Sequence, residues 1–249
     1  MWPVNVRALA AACLFCLSAS AVYLMNDIID IERDRKHPDK AQRAIAAHQI
    51  SSRQAGNISL IIAIFSAIFS FILDRNFGWV IIAYLLLNLV YSLVLKKIPP
   101  ADVFFLPVFY YMRLLAGSFV TGISLSYWII LLTTILALFL GLIKRKQEMH
   151  LISRVEKTPY DALILVSAFF IFIFYTLYSV SPRTLKELGT THMLFGMPFV
   201  VLGILRYIFI IYKIGCNNDI INVIISDRII NLSIILWGIV SISVVYFGL

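Results

Sequence analysis

Charge is what this sequence has least of. Asp, Glu, Lys and Arg make up 14% of its 249 residues while 61% are hydrophobic, against about 25% charged in a soluble domain. Mean hydropathy is +0.92. That balance excludes a soluble enzyme and fits an integral membrane protein. The net charge of +8 is not a nucleic-acid signature, because the basic residues fall between apolar runs, where membrane topology explains much of the excess. Cysteine is scarce too. Cys13, Cys16 and Cys216 build no disulfide framework. Cys13-x-x-Cys16 lies inside an apolar run with no histidine near it, so both read as buried thiols rather than a metal or redox pair. The four histidines show no metal-ligand spacing: His48, His150 and His192 read as structural. There is no P-loop, no dinucleotide glycine fingerprint and no Ser-His-Asp arrangement. Low-complexity tracts, long linkers and short repeats are missing as well. Only Arg7 precedes the first apolar run, and no small-residue cleavage site precedes the acidic stretch after it, so no cleavable signal peptide is expected.

Apolar runs of membrane length are what the chain does have. A span needs roughly 20 apolar residues. Eight fit, at about 6–25, 55–74, 77–96, 101–122, 126–143, 161–181, 190–212 and 229–248. Backbone groups in lipid must bond within their own segment. The expected fold is therefore all-α, a polytopic transmembrane helix bundle forming one domain over 1–249. The segments 26–54, 97–100, 144–160 and 213–228, with Lys96 at a border, hold fifteen of the twenty-one Lys and Arg residues. The positive-inside rule puts that side in the cytoplasm. Nearly all the acids lie there too, Asp74 and Glu187 being the clear exceptions. A face rich in both signs is more than topology requires.

The densest part of that face is 26–40, with five of the thirteen acids. Asn26, Asp30 and Asp34 recur every four residues, so a helix would stack them on one face with Asp27 beside them. Stacked carboxylates repel and need a cation. Oxygen-only ligands suit a hard ion such as Mg2+, which commonly binds substrate phosphates as well. Five basic residues from Arg33 to Arg43 suit an anionic phosphate. The stretch reads as a diphosphate–metal site at a membrane face.

Three further constellations flank it. Lys144-Arg145-Lys146-Gln147-Glu148 follows the fifth apolar run, on the same side. Tyr91-Ser92 with Lys96, Lys97 and Asp102 leads to Arg113. Arg113 sits about three turns inside a span, where an arginine is costly and marks a functional site by default, its partner an acid or a bound phosphate. Asp227-Arg228 stands just before the last span, with Asn217-Asn218-Asp219 upstream.

Together these residues resemble the UbiA superfamily of intramembrane prenyltransferases. Asn26-Asp27-x-x-Asp30-x-x-x-Asp34 after a span resembles its first Asp-rich motif. The run Asp34-Arg35-Lys36-His37-Pro38-Asp39-Lys40-Ala41-Gln42-Arg43 is similar to the branch of decaprenyl-phosphate phosphoribosyltransferases. Tyr91-Ser92 with Lys96, Asp102, Arg113-x-x-Ala116-Gly117, Lys144-Arg145-x-x-Glu148 and Asp227-Arg228 match that branch also. In the wider superfamily the second motif is Asp-x-x-x-Asp, so Lys-Arg-x-x-Glu favours the phosphoribosyl branch. Two departures stand out. The family continues Arg-Pro-Ile-Ala-x-Gly where this chain has Arg43-Ala44-Ile45-Ala46-Ala47-His48, which changes loop stiffness and backbone freedom. A Pro-Glu pair before Asp227-Arg228 is replaced by Asn217-Asn218-Asp219. The resemblance also implies nine spans with the Asp-rich segment after the second, so eight are expected here with the first of the nine missing.

What the resemblance implies is Mg2+-dependent transfer of 5-phosphoribose from phosphoribosyl diphosphate to a polyprenyl phosphate, in a bacterial-type inner membrane, for cell-wall synthesis, with the active site facing the cytoplasm. Asp27, Asp30 and Asp34 would hold the metal, with Glu148 completing the catalytic set. Asn26, Arg35, Lys36, His37, Lys40, Arg43, Tyr91, Lys96, Arg113, Lys144, Arg145, Asp227 and Arg228 would bind substrates. The second reading is a UbiA-type prenyltransferase, moving a prenyl group from its diphosphate to an aromatic or lipid acceptor. A third, of another class, is a non-catalytic membrane protein or a small-solute transporter. A transporter would show broken helices at mid-membrane and paired repeats, not charge gathered on one face.

Overall fold

The computed structural model describes residues 3–36, 40–98, 101–153, 160–213 and 220–248. Every regular element among them is helical. Eight helical segments are long and apolar enough to cross a membrane: Val4–Ile29, Ser52–Leu73, Arg75–Leu93, Val103–Thr121, Tyr127–Gln147, Tyr160–Val180, His192–Lys213 and Arg228–Phe247. All eight expected spans are present. The chain forms two compact units, 1–126 and 127–249.

The first unit contains α1 (Val4–Ile29), the short α2 (Ile31–Arg35), α3 (Ser52–Leu73), α4 (Arg75–Leu93) and α5 (Ala101–Thr121). Helix α1 is its axis and packs against α3, α4 and α5. Ala11, Phe15, Ser18, Ala21 and Val22 form its buried face, at the three- and four-residue spacing of one helix side. Phe15 and Val22 meet Phe77, Ile81 and Tyr84 of α4 and Phe109, Met112 and Ala116 of α5 in one apolar core. The seam with α3 is built differently, from small residues. The hydroxyl of Ser18 donates to Ser66 at 2.9 Å and Ser59 donates to the Ala21 carbonyl at 2.8 Å. Ala55, Ser66 and Ser70 are buried there. Apolar lipid supplies no hydrophobic drive between helices, so close backbone approach through small residues and hydrogen bonds holds such pairs. Cys13 and Cys16 correct the expectation of buried thiols: both are exposed, because their positions fall off the buried face of α1, where a thiol meets lipid as comfortably as it meets a core.

Charge sits at the two ends of this unit. Arg7 pairs with Asp74 at 3.8 Å at one end, where Asp74 also caps α4 by accepting from the N–H groups of Asn76 and Phe77. At the other end α1 outruns the membrane. Its 26 residues span about 39 Å, against a hydrocarbon core of about 30 Å. Asn26 and Asp27 therefore lie on its last turn, not in the loop expected to begin at 26.

The second unit contains α6 (Tyr127–Ser153), α7 (Tyr160–Val180), α8 (Pro182–Leu188), α9 (Met197–Lys213), α10 (Ile220–Ser226) and α11 (Arg228–Phe247). Helix α6 packs on α7, and α9 on α11 and α7. Tyr175 ties three segments, donating to the Met193 carbonyl at 3.0 Å and accepting from the Trp237 indole at 3.1 Å. Helix α6 has 27 residues and overshoots as α1 does. Lys144 to Glu148 are helical, a correction to the loop expected from 144. Hydropathy had marked where lipid contact ends, not where the helix ends.

The small-residue seam gives a direct test. Replacing fully buried Ser66 by Leu overpacks it, an effect of about 1–3 kcal/mol. Thermal unfolding of the detergent-solubilised Ser66→Leu chain should show a lowered midpoint, whereas Ser66→Ala should stay near the wild type.

Candidate functional site

The Asp-rich segment starts on α1 and continues through α2 almost without a break. Asp30 is the junction, with φ −93° and ψ 4°. Its N–H still donates to the Asn26 carbonyl at 2.9 Å, and the Asp34 N–H donates to the Asp30 carbonyl at 2.8 Å. The four-residue stagger read from the sequence is thus preserved. Asn26, Asp30 and Asp34 follow one another on a single side, with Asp27 adjacent.

Each carboxylate of that row is met by a cation from elsewhere in the unit. Arg43 Nη1 lies 2.7 Å from Asp27 Oδ1 and 3.0 Å from Asp34 Oδ2. Lys96 Nζ lies 2.6 and 2.5 Å from the two oxygens of Asp30. Asp34 is only 3% exposed, so its charge depends on the Arg43 contact to be tolerated. One turn before Lys96, the Ser92 hydroxyl donates to the Asn26 side-chain carbonyl. The pairs Asn26–Ser92 and Asp30–Lys96 form two rungs of one ladder between the end of α1 and the end of α4. Ser92 was not among the expected site residues. Its four-residue spacing from Lys96, mirroring Asn26 and Asp30, is the signal that could have found it.

The basic segment after α2 folds back over this row. Arg35 donates to Glu32 at 2.9 Å and to the Ala46 carbonyl at 3.4 Å, and lies 3.4 Å from His48 Nδ1. Residues 43–50 form a tight turn closed by Ala47 N–H to Arg43 O at 2.8 Å and Gln49 N–H to Ala44 O at 2.9 Å. His48 has φ +59°. This is the left-handed region that glycine adopts without strain, at the very position where the resemblance expects glycine. The turn keeps its shape by straining a histidine. Lys36 is exposed and Lys40 half-buried. His37 lies outside the described residues.

A divalent cation fits part of this arrangement. Two carboxylate oxygens converge on one nitrogen, and all the ligand atoms are hard. Among the described residues, however, no three acid, histidine or cysteine side chains group closely enough to hold an ion by themselves, because Asp30 is drawn to Lys96. Such a site suits Mg2+, which keeps waters and completes its shell with phosphate oxygens. Arg43 and Lys96 therefore act as internal counter-ions, placed where an incoming metal and anion would compete for the same partners.

The remaining expected residues divide as follows. Tyr91 packs edge-on against Phe109, ring centroids 5.4 Å apart. Arg113 is paired with no acid among the described residues. Its guanidinium carbon lies 5.1 Å from the Tyr110 ring centroid and 5.9 Å from that of Phe15. In the second unit Lys144 is exposed and Arg145 half-buried. Lys146, 3% exposed, pairs with Asp161 at 2.6 Å and lies 3.4 Å from the Tyr212 ring centroid; Tyr212 donates to the same carboxylate at 2.5 Å. The side chains of Lys97, Asp102 and Glu148 lie outside the described residues. Asp227 caps α11 by accepting from the N–H groups of Ile229 and Ile230. Its ion partner is Arg206 at 2.9 Å, not its neighbour Arg228, which is exposed. Hydrogen bonding from Arg206 holds the Asp227 carboxyl below the usual carboxylate range, against a smaller opposing effect of burial.

Comparison with known proteins identifies the family and the fold. The sequence profile of the UbiA prenyltransferase family matches residues 2–157. Decaprenyl-phosphate phosphoribosyltransferase of Mycobacterium tuberculosis is 36% identical over 141 residues, 57% of this chain and 47% of that protein. The enzyme of the same name from Mycolicibacterium smegmatis is 33% identical over 151 residues, 61% of this chain and 48% of that one. The matched stretch thus spans about half the length of these curated relatives. A solved UbiA homologue from Archaeoglobus fulgidus, bound to DMAPP and Mg2+, superposes with a TM-score of 0.71 at 15% identity, covering 96% of this chain and 87% of that one. That likeness establishes the fold.

The strained turn yields a prediction. His48→Gly should relieve the left-handed backbone and raise stability by about 1 kcal/mol, seen as a higher unfolding midpoint. Replacing His48 by Val should lower it, since β-branching makes a positive φ costlier still.

Proposed function

The chain belongs to the UbiA prenyltransferase family, and on that premise we propose that it is a transferase moving a 5-phosphoribosyl group from phosphoribosyl diphosphate to a polyprenyl phosphate. The observation that carries this reading is the row Asp27, Asp30 and Asp34 interlocked with Arg43 and Lys96. It offers carboxylates for a metal and cations for phosphate at the end of a membrane span. Support for the donor comes from the curated relatives, named decaprenyl-phosphate phosphoribosyltransferase, and from the Lys144-Arg145-x-x-Glu148 sequence in place of two aspartates.

The chemistry asked of the chain's own residues is mostly electrostatic. The bond from the ribose anomeric carbon to diphosphate breaks, and the acceptor phosphate oxygen forms the new bond. The acceptor is already an anion, so no strong general base is needed. Asp27, Asp30 and Asp34 would hold a metal. The chemistry Mg2+ would supply there is neutralisation of the charge on the departing diphosphate. Arg43 and Lys96, which pair with these carboxylates, would turn to the phosphate oxygens. Arg35, Lys36 and Lys40 border the same end of the unit and add positive potential, and His37 is assigned to substrate contact from the sequence. Lys144, Arg145, Glu148, Asp227 and Arg228 are assigned to substrate contact from the second unit. The polar donor enters from the cytoplasm, and the lipid tail stays among the spans of a bacterial-type inner membrane.

A prenyl diphosphate donor is the competing reading, and the solved homologues bound to DMAPP or GPP with Mg2+ make it the one to test against. Membranes containing the protein, given Mg2+, labelled phosphoribosyl diphosphate and a polyprenyl phosphate, should form lipid-extractable label. Product only from a prenyl diphosphate with an aromatic acid would contradict the proposal. Asp27→Asn should lower turnover by about 100-fold or more with the unfolding midpoint kept. Unchanged turnover would remove Asp27 from the site.

A further inference from the structure

Lys146 is a cation for which the mechanism above has no use. The sequence groups it with Lys144 and Arg145, but the structure turns it the other way. Phe139, Leu142, Ile143, Lys146 and Gln147 are all buried, at the three- and four-residue spacing of one helix side. Lys146 thus continues the buried face of α6. Lys144 lies two residues back, about 200° around the helix, and is exposed. Lys146 also stands at the end of the span Tyr127–Gln147. A lysine there can reach the headgroups by stretching along the helix surface; this one is turned inward instead. Its ammonium lies 2.6 Å from Asp161 Oδ1, on the first turn of α7. It lies 3.4 Å from the ring centroid of Tyr212, next to last in α9. The Tyr212 hydroxyl donates to that same Asp161 oxygen at 2.5 Å. One nitrogen therefore joins the ends of three helices.

Stability does not ask for such a group. An apolar residue would continue the buried stripe, and a buried ion pair is often no more stable than apolar side chains of its size. What a directional pair adds to apolar packing is a fixed rotation of α6 about its own axis. With Lys146 held inside, Lys144 has to face outward, with Arg145 between the two. We propose that Lys146 is a positioning residue. Held by Asp161 and Tyr212, it sets the rotation of the end of α6 and so presents Lys144 and Arg145 to a phosphate group of the donor. Lys146 itself touches no substrate. This rests on the transferase reading above, which assigns Lys144 and Arg145 to substrate contact.

Binding and turnover by the full chain in lipid nanodiscs test the assignment. Lys146→Met combined with Asp161→Asn removes both charges, keeps the side-chain sizes and leaves Tyr212 an acceptor. This double variant should hold the unfolding midpoint of the wild type or exceed it. Its Kd for phosphoribosyl diphosphate with Mg2+, and its KM in transfer, should rise by roughly tenfold or more. Its kcat should change little, the pattern of lost substrate binding. Lys146→Arg, which can still pair with Asp161, should keep most of the affinity. Unchanged binding in the double variant overturns the proposal. So does weaker binding together with a lowered midpoint, because the pair would then be merely structural. A parallel titration with DMAPP separates this role from the choice of donor. If the wild-type chain binds only DMAPP and the double variant weakens that binding, Lys146 keeps its role and the phosphoribosyl donor falls. A wild-type chain that binds neither overturns both.

Discussion

Three like charges on one helical side need compensation, and the first unit is arranged around supplying it. Asp27 lies on the last turn of α1, Asp30 at the junction that follows and Asp34 on α2. Arg43 reaches them from the turn that follows α2, and Lys96 from the end of α4. One set of ion pairs thereby fixes the basic turn, the α4–α5 junction and the axis helix relative to each other. The partly exposed Arg43–Asp27 pair contributes little stability, of the order of 0–1 kcal/mol, whereas the buried Asp34 carboxylate needs Arg43 to be tolerated. The role of these pairs is to place groups. Cohesion comes instead from the apolar face of α1 against α4 and α5 and from the small-residue seam with α3.

On the proposed reading, the ion pairs would also set the terms of ligand binding. Carboxylates already satisfied by Arg43 and Lys96 have little reason to take up a bare divalent ion. A metal arriving with a diphosphate brings its own anion, and the cations can exchange carboxylate for phosphate. Both partners are then satisfied again, with no charge left alone at the membrane face. The chain that carries these pairs belongs to the UbiA prenyltransferase family.

Much of this was legible in the sequence. Apolar runs of span length can be satisfied only by helices, and the four-residue recurrence of Asn26, Asp30 and Asp34 survives even the irregular junction at Asp30 because its backbone bonds are kept. The departure at His48 was readable as lost backbone freedom, and the positive φ there is that loss made visible. What escaped were choices of partner. Nothing in one dimension says that Lys96 takes Asp30, that Arg43 bridges two carboxylates, or that Asp227 prefers Arg206 to Arg228, because each depends on which helix ends meet. The thiols of Cys13 and Cys16 were misread for a related reason: an apolar residue in a membrane protein can face lipid as readily as the core. Helix ends were misplaced at 26 and 144 because hydropathy reports the membrane boundary, which α1 and α6 overrun.

The central claim is that internal cations guard the Asp-rich row until phosphate displaces them. Titrating the full chain in nanodiscs with Mn2+, read by electron paramagnetic resonance with and without inorganic diphosphate, tests it most directly. The account predicts tight Mn2+ binding only when diphosphate is present, and in Arg43→Gln a gain of binding by the ion alone. Equal Mn2+ affinity with and without diphosphate in the wild-type chain would contradict it.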